Sequence, residues 1–296
     1  MRTASGKFGG QSMAGRLARV LVCAPDTAGW SDPLRANAWR ELGYLKTPDP
    51  DLARAQHEAL RRHLEDAGAE VLVLPAAQDL SLDAVYAHDA SFVTDHGAVL
   101  MRMGKPARRP EPARHAAVLE AAGIPVLGSI EAPGTTEAGD LVWLDAGTLL
   151  AGQGYRTNQA GIAQLRALLR PRGIDVIPAP LPYGAGPDAC LHLMSLMSVL
   201  DERTLLVDLA WLAVQTVELL RERGFATIEV DESERRTLAC NVLALGVGRV
   251  VAIAENVLTN RRLTERGFDV RTFPGSEISH NGSGGPTCLT RPLLRL

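Results

Sequence analysis

The stretch that decides the fold is Glu137–Ala151, with the sequence EAGDLVWLDAGTLLA. Two apolar runs flank Asp145-Ala146-Gly147, and Asp and Gly are residues that tight turns favour. An apolar run, a short turn and a second apolar run predict an antiparallel β-hairpin. A polar residue, Glu137, stands at the start of this hairpin.

The same pattern occurs three more times along the chain. The other segments are His88–Met103 (HDASFVTDHGAVLMRM), His192–Val207 (HLMSLMSVLDERTLLV) and Asn241–Ala254 (NVLALGVGRVVAIA). Each has turn residues between two apolar runs, so each predicts a hairpin. A repeated supersecondary unit is the sequence signature of a radial or solenoid architecture.

Each hairpin begins with a polar residue, and these residues recur at nearly regular intervals. They are Asp89, Glu137, His192 and Asn241, and Cys288 continues the series before a last apolar run. The intervals are 48, 55, 49 and 47 residues. If five modules surround one axis, the five side chains point at a common centre; the alternative is that they are ordinary polar residues at strand starts.

Helical patterns alternate with strand-like runs in the rest of the chain. Ala18–Cys23 and Glu70–Leu74 have the length and composition of strands. Leu52–Ala67, Gln159–Leu169 and Val214–Arg223 place apolar residues at helical spacing. Strands that alternate with helices predict an α/β fold.

Composition excludes several function classes. The chain has 296 residues, 46% hydrophobic content and a formal charge of −3, which allows a real core and gives no polycation for nucleic acid. No apolar run reaches the ~18 residues of a membrane span, so no membrane partner is expected. The basic run Lys105–Arg109 (KPARR) lies among prolines and predicts a solvated loop.

The N-terminus and the cysteines indicate an intracellular domain. Residues 1–15 are polar and Gly-rich and lack a secretory apolar core, so we expect a disordered extension ahead of a single domain over residues 16–296. The four cysteines have no CxxC spacing, which disfavours a zinc cage and a disulfide framework. A reducing, cytoplasmic location follows from this pattern.

The five polar positions also carry a plausible chemistry. Cys288 follows a Gly-rich turn in Asn281–Thr290 (NGSGGPTCLT), and a thiolate is a strong nucleophile. His192 titrates near neutrality and suits acid/base work. Asp89 and Glu137 suit a planar cation such as a guanidinium. The alternative for Cys288 alone is a buried, unreactive thiol.

Several segments resemble one family, the dimethylarginine dimethylaminohydrolases. Glu137–Gln159 resembles their EGGD…GxSxRTN segment, Leu191–Ser195 their LHLKS, Asp83–Asp89 their DSVFVED and Gly104–Arg109 their GxPxRR. Gly284–Leu289 (GGPTCL) resembles the cysteine strand of the wider guanidino-modifying superfamily, with its arginine deiminases and amidinotransferases. The resemblance implies the pentein fold, a five-bladed α/β propeller with pseudo-five-fold symmetry.

The resemblance also implies a catalytic set and a reaction. Cys288 would be the nucleophile, His192 the acid/base and Glu137 the third catalytic residue. The reaction would turn arginine, or an arginine methylated on its guanidine, into citrulline and an amine. A covalent thiouronium on Cys288 would be the intermediate, and no metal or organic cofactor would take part.

The substrate-binding residues follow from the same resemblance. Asp89 and Glu137 would hold the guanidinium, and Asp83 would assist them. Arg108 and Arg156 would bind the substrate carboxylate. The expected partner is therefore a small guanidino compound, and a homodimer stays open.

Three alternatives also stay open. The segment His192-Leu193-Met194 lacks the His-x-Asp of most deiminases and amidinotransferases, which favours the dimethylaminohydrolase branch. The tail Cys288–Arg295 (CLTRPLLR) looks more like a deiminase. The protein could thus be an arginine deiminase or an amidinotransferase for a different guanidino compound, or a non-catalytic pentein that binds a partner.

Overall fold

Five three-stranded sheets make up the β-structure of the computed structural model, which describes residues 7–187 and 189–296. The strands are β1 Leu17–Val22, β2 Glu70–Val73, β3 Ser91–Thr94, β4 Gly97–Leu100, β5 Val126–Ser129, β6 Leu141–Asp145, β7 Thr148–Gln153, β8 Asp175–Pro180, β9 Met197–Val199, β10 Thr204–Val207, β11 Ala226–Glu229, β12 Leu243–Gly246, β13 Arg249–Ile253, β14 Asp269–Phe273 and β15 Thr290–Arg295. The α-helices are α1 Pro33–Ala36, α2 Pro50–Asp66, α3 Glu111–Ala121, α4 Gln159–Leu169, α5 Val214–Glu222 and α6 Val257–Glu265.

Four of the five sheets are built in the same way, from a hairpin and a third strand that returns through a helix. In one of them β6 pairs antiparallel with β7, and Leu141 faces Ala151. The chain then forms α4 and comes back as β8, parallel to β7, with Leu149 facing Val176. A parallel neighbour needs such a crossover, which is why a helix follows every hairpin.

The last strand closes the ring of modules. β15 pairs antiparallel with β1, where Thr290 faces Val22, and β1 pairs parallel with β2. The fifth sheet therefore combines the C-terminal strand β15 with the two N-terminal strands β1 and β2. The predicted five-bladed α/β propeller is confirmed.

Local sequence signals explain the helix bounds. The Asp49 side chain accepts hydrogen bonds from the backbone N–H groups of Asp51 and Leu52, so α2 begins after a capped end with Pro50 in its first position. The chain leaves α2 through Gly68, whose φ of +84° lies in the region that glycine adopts freely. Leu60 and Leu64 are buried on the inner face of this helix.

The predicted elements agree with the structure to within two residues at each helix end. α4 spans the predicted Gln159–Leu169, and α5 ends one residue before the predicted Arg223. All four predicted hairpins form, because turn residues stand between apolar runs in each case.

Residues 7–15, which the sequence analysis assigns to a disordered extension, lie against the last strand. The Gly9 N–H donates to the Leu293 carbonyl at 2.8 Å, and the Arg295 N–H donates to the Gly9 carbonyl at 2.9 Å. Further along, the Asp95 N–H donates to Gln11 Oε1 at 3.1 Å. Residues 1–6, the rest of that assignment, lie outside the described residues.

The sequence predicts neither a membrane-spanning helix nor a disulfide framework. In residues 7–187 and 189–296, every helix is too short or too polar to cross a bilayer. All four cysteines are free thiols, and Cys23 and Cys240 are buried in the core.

Candidate active site

Of the five repeat residues, Asp89, His192 and Cys288 line one cavity, and Glu137 and Asn241 contact His192 and Cys288 from behind it. Each precedes the first strand of its module, and the ring places these strand ends on the same side. His192 Nε2 lies 2.8 Å from Glu137 Oε2, and His192 Nδ1 lies 4.0 Å from Asp89 Oδ1. Asn241 Nδ2 lies 3.0 Å from Cys288 Sγ. The common centre that the repeat predicts is therefore present.

The cavity has a volume of about 250 Å³. The lining residues that matter for chemistry are Asp83, Asp89, Lys105, Arg156, His192 and Cys288. A larger depression of about 460 Å³ lies by the hairpin turns, between residues 10–14 and 143–146, and none of the five hairpin-start residues lines it. The smaller cavity is the candidate site because it gathers nucleophile, imidazole and carboxylate.

Glu137 and His192 form a buried pair at the back of the cavity. The Glu137 carboxylate also accepts from Arg156 Nη1 at 3.0 Å and from the Gly104 N–H at 2.9 Å. Burial raises the pKa of Glu137, but the His192 hydrogen bond and the Arg156 charge outweigh it and hold that pKa well below its usual range. Glu137 does not line the cavity, and its carboxylate contacts His192.

The His192 imidazole is held in its charged form. Burial lowers its pKa, but the Cys190 thiol and the carboxyls of Asp89 and Asp140 outweigh burial and raise the pKa well above its usual value. With Glu137 ionised at 2.8 Å, the pair is an imidazolium and a carboxylate near neutral pH. An imidazolium can give a proton to a leaving group.

Asp89 is placed by a close backbone approach. The Gly139 N–H donates to Asp89 Oδ1 at 3.0 Å. A Cβ at Gly139 would lie 2.6 Å from His192 Nδ1 and 2.8 Å from Asp89 Oδ1, so only glycine fits there. Arg108 Nη1 donates to Asp89 Oδ2 at 2.6 Å, and Asp89 lines the cavity as a buried carboxylate.

The Cys288 thiol lies in a less polar part of the site. Asn241 Nδ2 donates to its sulfur, and Asn241 Oδ1 accepts from the Thr287 N–H at 3.0 Å. Burial, then the nearby Asp89 and Cys190, raise the pKa of Cys288 to about 12. The unliganded site therefore holds a neutral thiol beside a charged pair.

Arg108 is committed to protein groups. Its Nε and Nη2 donate to the Glu111 carboxylate, its Nη1 to Asp89, and its Nη2 also to the Tyr86 carbonyl. These bonds use four of its five N–H donors. Arg108 also lines the cavity and keeps one N–H donor, so its predicted contact with a substrate carboxylate stays a prediction. The solvated loop predicted for Lys105–Arg109 is wrong at Arg108, which is buried.

Arg156 and Asp83 are nearer to their predicted positions. Arg156 uses Nη1 on Glu137, and its Nε and Nη2 have no hydrogen-bond partner in residues 7–187 and 189–296. Asp83 lines the cavity, but its Oδ2 lies 2.5 Å from Lys105 Nζ. Lys105 is thus a second basic residue of the KPARR run that is not in a solvated loop.

Three residues at the site were not assigned a role from the sequence. Lys105 and Cys190 line the cavity, and Cys190 Sγ lies 3.8 Å from His192 Nδ1. Asn241 had the repeat position but no assigned chemistry. A signal existed for Cys190, because in an extended chain the side chains of residues 190 and 192 point the same way.

Among the described residues, one cluster of side chains has the spacing of metal ligands, but its surroundings do not suit a metal ion. Asp89, Glu137 and His192 offer ligand atoms within 4.8 Å of one another. Arg108 and Arg156 already donate to these two carboxylates, and Glu137 accepts from His192. Positive charges in contact with the ligands oppose a bound cation.

Comparisons with known proteins give a consistent relationship. The sequence profile of the family described as arginine deiminase matches residues 76–223 and 209–295. The uncharacterized protein YkgA of Bacillus subtilis is 27% identical over 284 residues, which cover 95% of this chain and 93% of that protein. The N(G),N(G)-dimethylarginine dimethylaminohydrolase of Pseudomonas aeruginosa is 27% identical over 83% of this chain and 91% of its own length.

Solved structures agree on the architecture. The N-terminal domain of ArgZ, a cyanobacterial arginine dihydrolase bound to its substrate, superposes with a TM-score of 0.78 and 23% identity. The match covers 94% of this chain and 97% of that domain. The fold is the pentein fold.

Proposed function

Because this chain belongs to the arginine deiminase family, we propose that it hydrolyses a C–N bond of a guanidino substrate through a covalent thiouronium on Cys288. Hydrolysis of guanidino groups is the activity that family membership carries. The observation that supports Cys288 as the nucleophile is the cavity that it shares with His192 and Asp89. Residues 16–296 form the proposed catalytic domain.

The substrate cation has a specific task in this proposal. Cys288 is a neutral thiol in the free site because burial raises its pKa to about 12. A guanidinium placed between Asp89 and Cys288 brings a positive charge beside the sulfur, which lowers the pKa of the thiol. Substrate binding and formation of the nucleophile are therefore coupled.

The first half of the reaction forms the intermediate. Cys288 gives its proton to solvent when the guanidinium binds, and it takes one back when the product leaves. The thiolate attacks the guanidine carbon and forms a C–S bond. The C–N bond to the leaving nitrogen then breaks, its electron pair stays on nitrogen, and the His192 imidazolium supplies the proton. An amine or ammonia departs, and the remaining amidino group is a thiouronium cation.

The second half releases the product. Neutral His192 takes a proton from water, and the hydroxide adds to the thiouronium carbon. The C–S bond breaks with its electrons on sulfur, and the hydroxyl proton leaves to solvent as a C=O bond forms. A ureido compound is the product, and the imidazolium is restored for the next turnover.

Glu137 and Arg108 hold His192 and Asp89 in place in this proposal. Glu137 keeps His192 charged and oriented through the 2.8 Å hydrogen bond. Arg108 fixes the Asp89 carboxylate through the 2.6 Å contact. We assign both as positioning residues. Asp89 binds the substrate guanidinium, and Arg156 binds the substrate carboxylate.

Arginine and its N-methylated forms are the first substrates to test, because relatives act on arginine or dimethylarginine by name. The protein is incubated with arginine, monomethylarginine and asymmetric dimethylarginine, and ureido product is measured. Ureido product from any guanidine that is lost in Cys288→Ser supports the proposal.

Two other outcomes point elsewhere. Transfer of a labelled amidino group to an added amine, in place of ureido product, would indicate an amidinotransferase. No product from any guanidine, together with no labelling of Cys288 by a haloacetamidine, would favour a non-catalytic pentein and overturn the proposal.

A further inference from the structure

One end of the cavity already contains an ammonium group, supplied by the protein. Lys105 Nζ lies 2.5 Å from Asp83 Oδ2 and 2.5 Å from the Leu42 carbonyl oxygen. All three residues line the cavity that contains Cys288. The side chains of Lys105 and Asp83 are 20% and 5% exposed, so this contact is largely shielded from solvent.

Among the described residues, the two carboxylates that line the cavity are thus both in contact with cations of the chain. Asp89 contacts Arg108, and Asp83 contacts Lys105. A substrate guanidinium still has a place at Asp89 near Cys288, since Asp89 Oδ1 lies 4.0 Å from His192 Nδ1 and, within residues 7–187 and 189–296, accepts a hydrogen bond from the Gly139 N–H alone. A second substrate cation has to compete with Lys105 for the acceptors Asp83 and Leu42.

The remaining donors suit an anion. Arg156 lines the same cavity, and its Nε and Nη2 have no hydrogen-bond partner in the described parts of the chain. An arginine fork binds a carboxylate in bidentate geometry. Lys105 and Arg156 line the same cavity, and Arg156 keeps two donor nitrogens for an anion.

We infer that the preferred substrate is an ω-guanidino carboxylate without an α-ammonium group, and that Lys105 is the residue that selects against the ammonium. This inference rests on the proposed function and names its substrate class. An α-ammonium placed near Lys105 meets a like charge in a partly desolvated site and finds its acceptors occupied. A CH₂ group at the same place is not repelled by Lys105 and needs no hydrogen-bond acceptor.

Two pairs of compounds test the inference, because the members of each pair differ only in the α-ammonium. They are 5-guanidinopentanoate with arginine, and 4-guanidinobutanoate with 2-amino-4-guanidinobutanoate. The comparison uses the pair that the wild-type protein turns over with the higher kcat/KM. Within that pair, kcat/KM is expected to be at least about tenfold higher for the compound without the α-ammonium.

Variants at Lys105 separate its charge from its size. Lys105→Met removes the ammonium and frees Asp83, so the preference should fall at least about tenfold or reverse. Lys105→Arg keeps the charge and should keep the preference. Arg62→Met, an equal loss of charge on the exposed face of α2, should leave it unchanged. Thermal melts confirm that each variant is folded.

Binding provides a readout that does not need turnover. Calorimetry on Cys288→Ser protein, with and without Lys105→Met, measures the affinity for both members of each pair. A wild-type preference for the α-amino compounds, or a preference that Lys105→Met does not change, overturns the inference. If binding shows the expected preference but no guanidine is hydrolysed, the proposed function fails and the inference stands.

Discussion

The two halves of the cavity differ in charge although the same repeat builds both. On one side, Asp89, Glu137 and His192 form a buried network of ionised groups. On the other side, Asn241 and Cys288 form a neutral pair, because burial raises the pKa of the thiol to about 12. The fold thus supplies equivalent positions, and the residue at each position decides its charge.

This difference explains how a half-buried thiol with a raised pKa can be a nucleophile. The charged half attracts a cation, and the neutral half gains a charge only when that cation arrives. A cysteine with a permanently low pKa would react with other electrophiles as well. The separation of charge between the two halves therefore makes reactivity depend on the substrate.

Removing the sulfur should have the largest effect. Cys288→Ser leaves a hydroxyl that is hardly ionised even beside a guanidinium, so kcat should fall by about 10³-fold or more. Steady-state assays of ureido product measure this fall. Cys23→Ala, which changes a core thiol that does not line the cavity, is the control, with folding checked by circular dichroism. Near wild-type turnover in Cys288→Ser would remove the neutral half from the mechanism.

Breaking the charged half should have the next largest effect. Glu137→Gln removes the carboxylate that faces the imidazolium, so the pKa of His192 should fall and kcat should drop by about 10²-fold. The acid form of His192 is then lost at lower pH, and the alkaline limb of the kcat profile should move to lower pH. Glu265→Gln on the exposed face of α6 is the control. An unmoved limb would show that Glu137 does not set the charge of His192.

A change at Arg156 should have the smallest effect of the three, and the effect should depend on whether the substrate has a carboxylate. Arg156→Ala should lower kcat/KM for a guanidino carboxylate by roughly tenfold more than for a butylguanidine without a carboxylate. The loss common to both substrates reports the contact with Glu137, and the difference reports the substrate carboxylate. Equal losses for both would make Arg156 a purely structural partner of Glu137.

The repeat and its chemistry were accessible from the sequence because both depend on local pattern. Hairpins follow from apolar runs around turn residues, and Asp89 and His192 stand at the first polar position of their hairpins. The ring then brings those positions together without further information. Residue spacing was therefore enough to predict most of the fold and the positions of Asp89 and His192 in the site.

The basic run and the N-terminus were misjudged because their partners are distant in sequence. The partners of Lys105 are the Asp83 carboxylate and a backbone carbonyl 63 residues away, at Leu42. Gly9 bonds to a strand at the other end of the chain. Polar composition describes these segments correctly but cannot show which acceptors the fold places beside them.

The central claim is that Cys288 forms a covalent amidino adduct, and trapping that adduct tests it most directly. His192→Gly protein is mixed with an S-alkylisothiourea, whose thiolate leaving group needs no proton, and quenched samples are mapped by mass spectrometry. Without His192 to activate water, the adduct should accumulate on Cys288 and on none of Cys23, Cys190 or Cys240. An adduct on another cysteine, or product formation with Cys288 replaced by serine and no adduct at any time, would contradict the account.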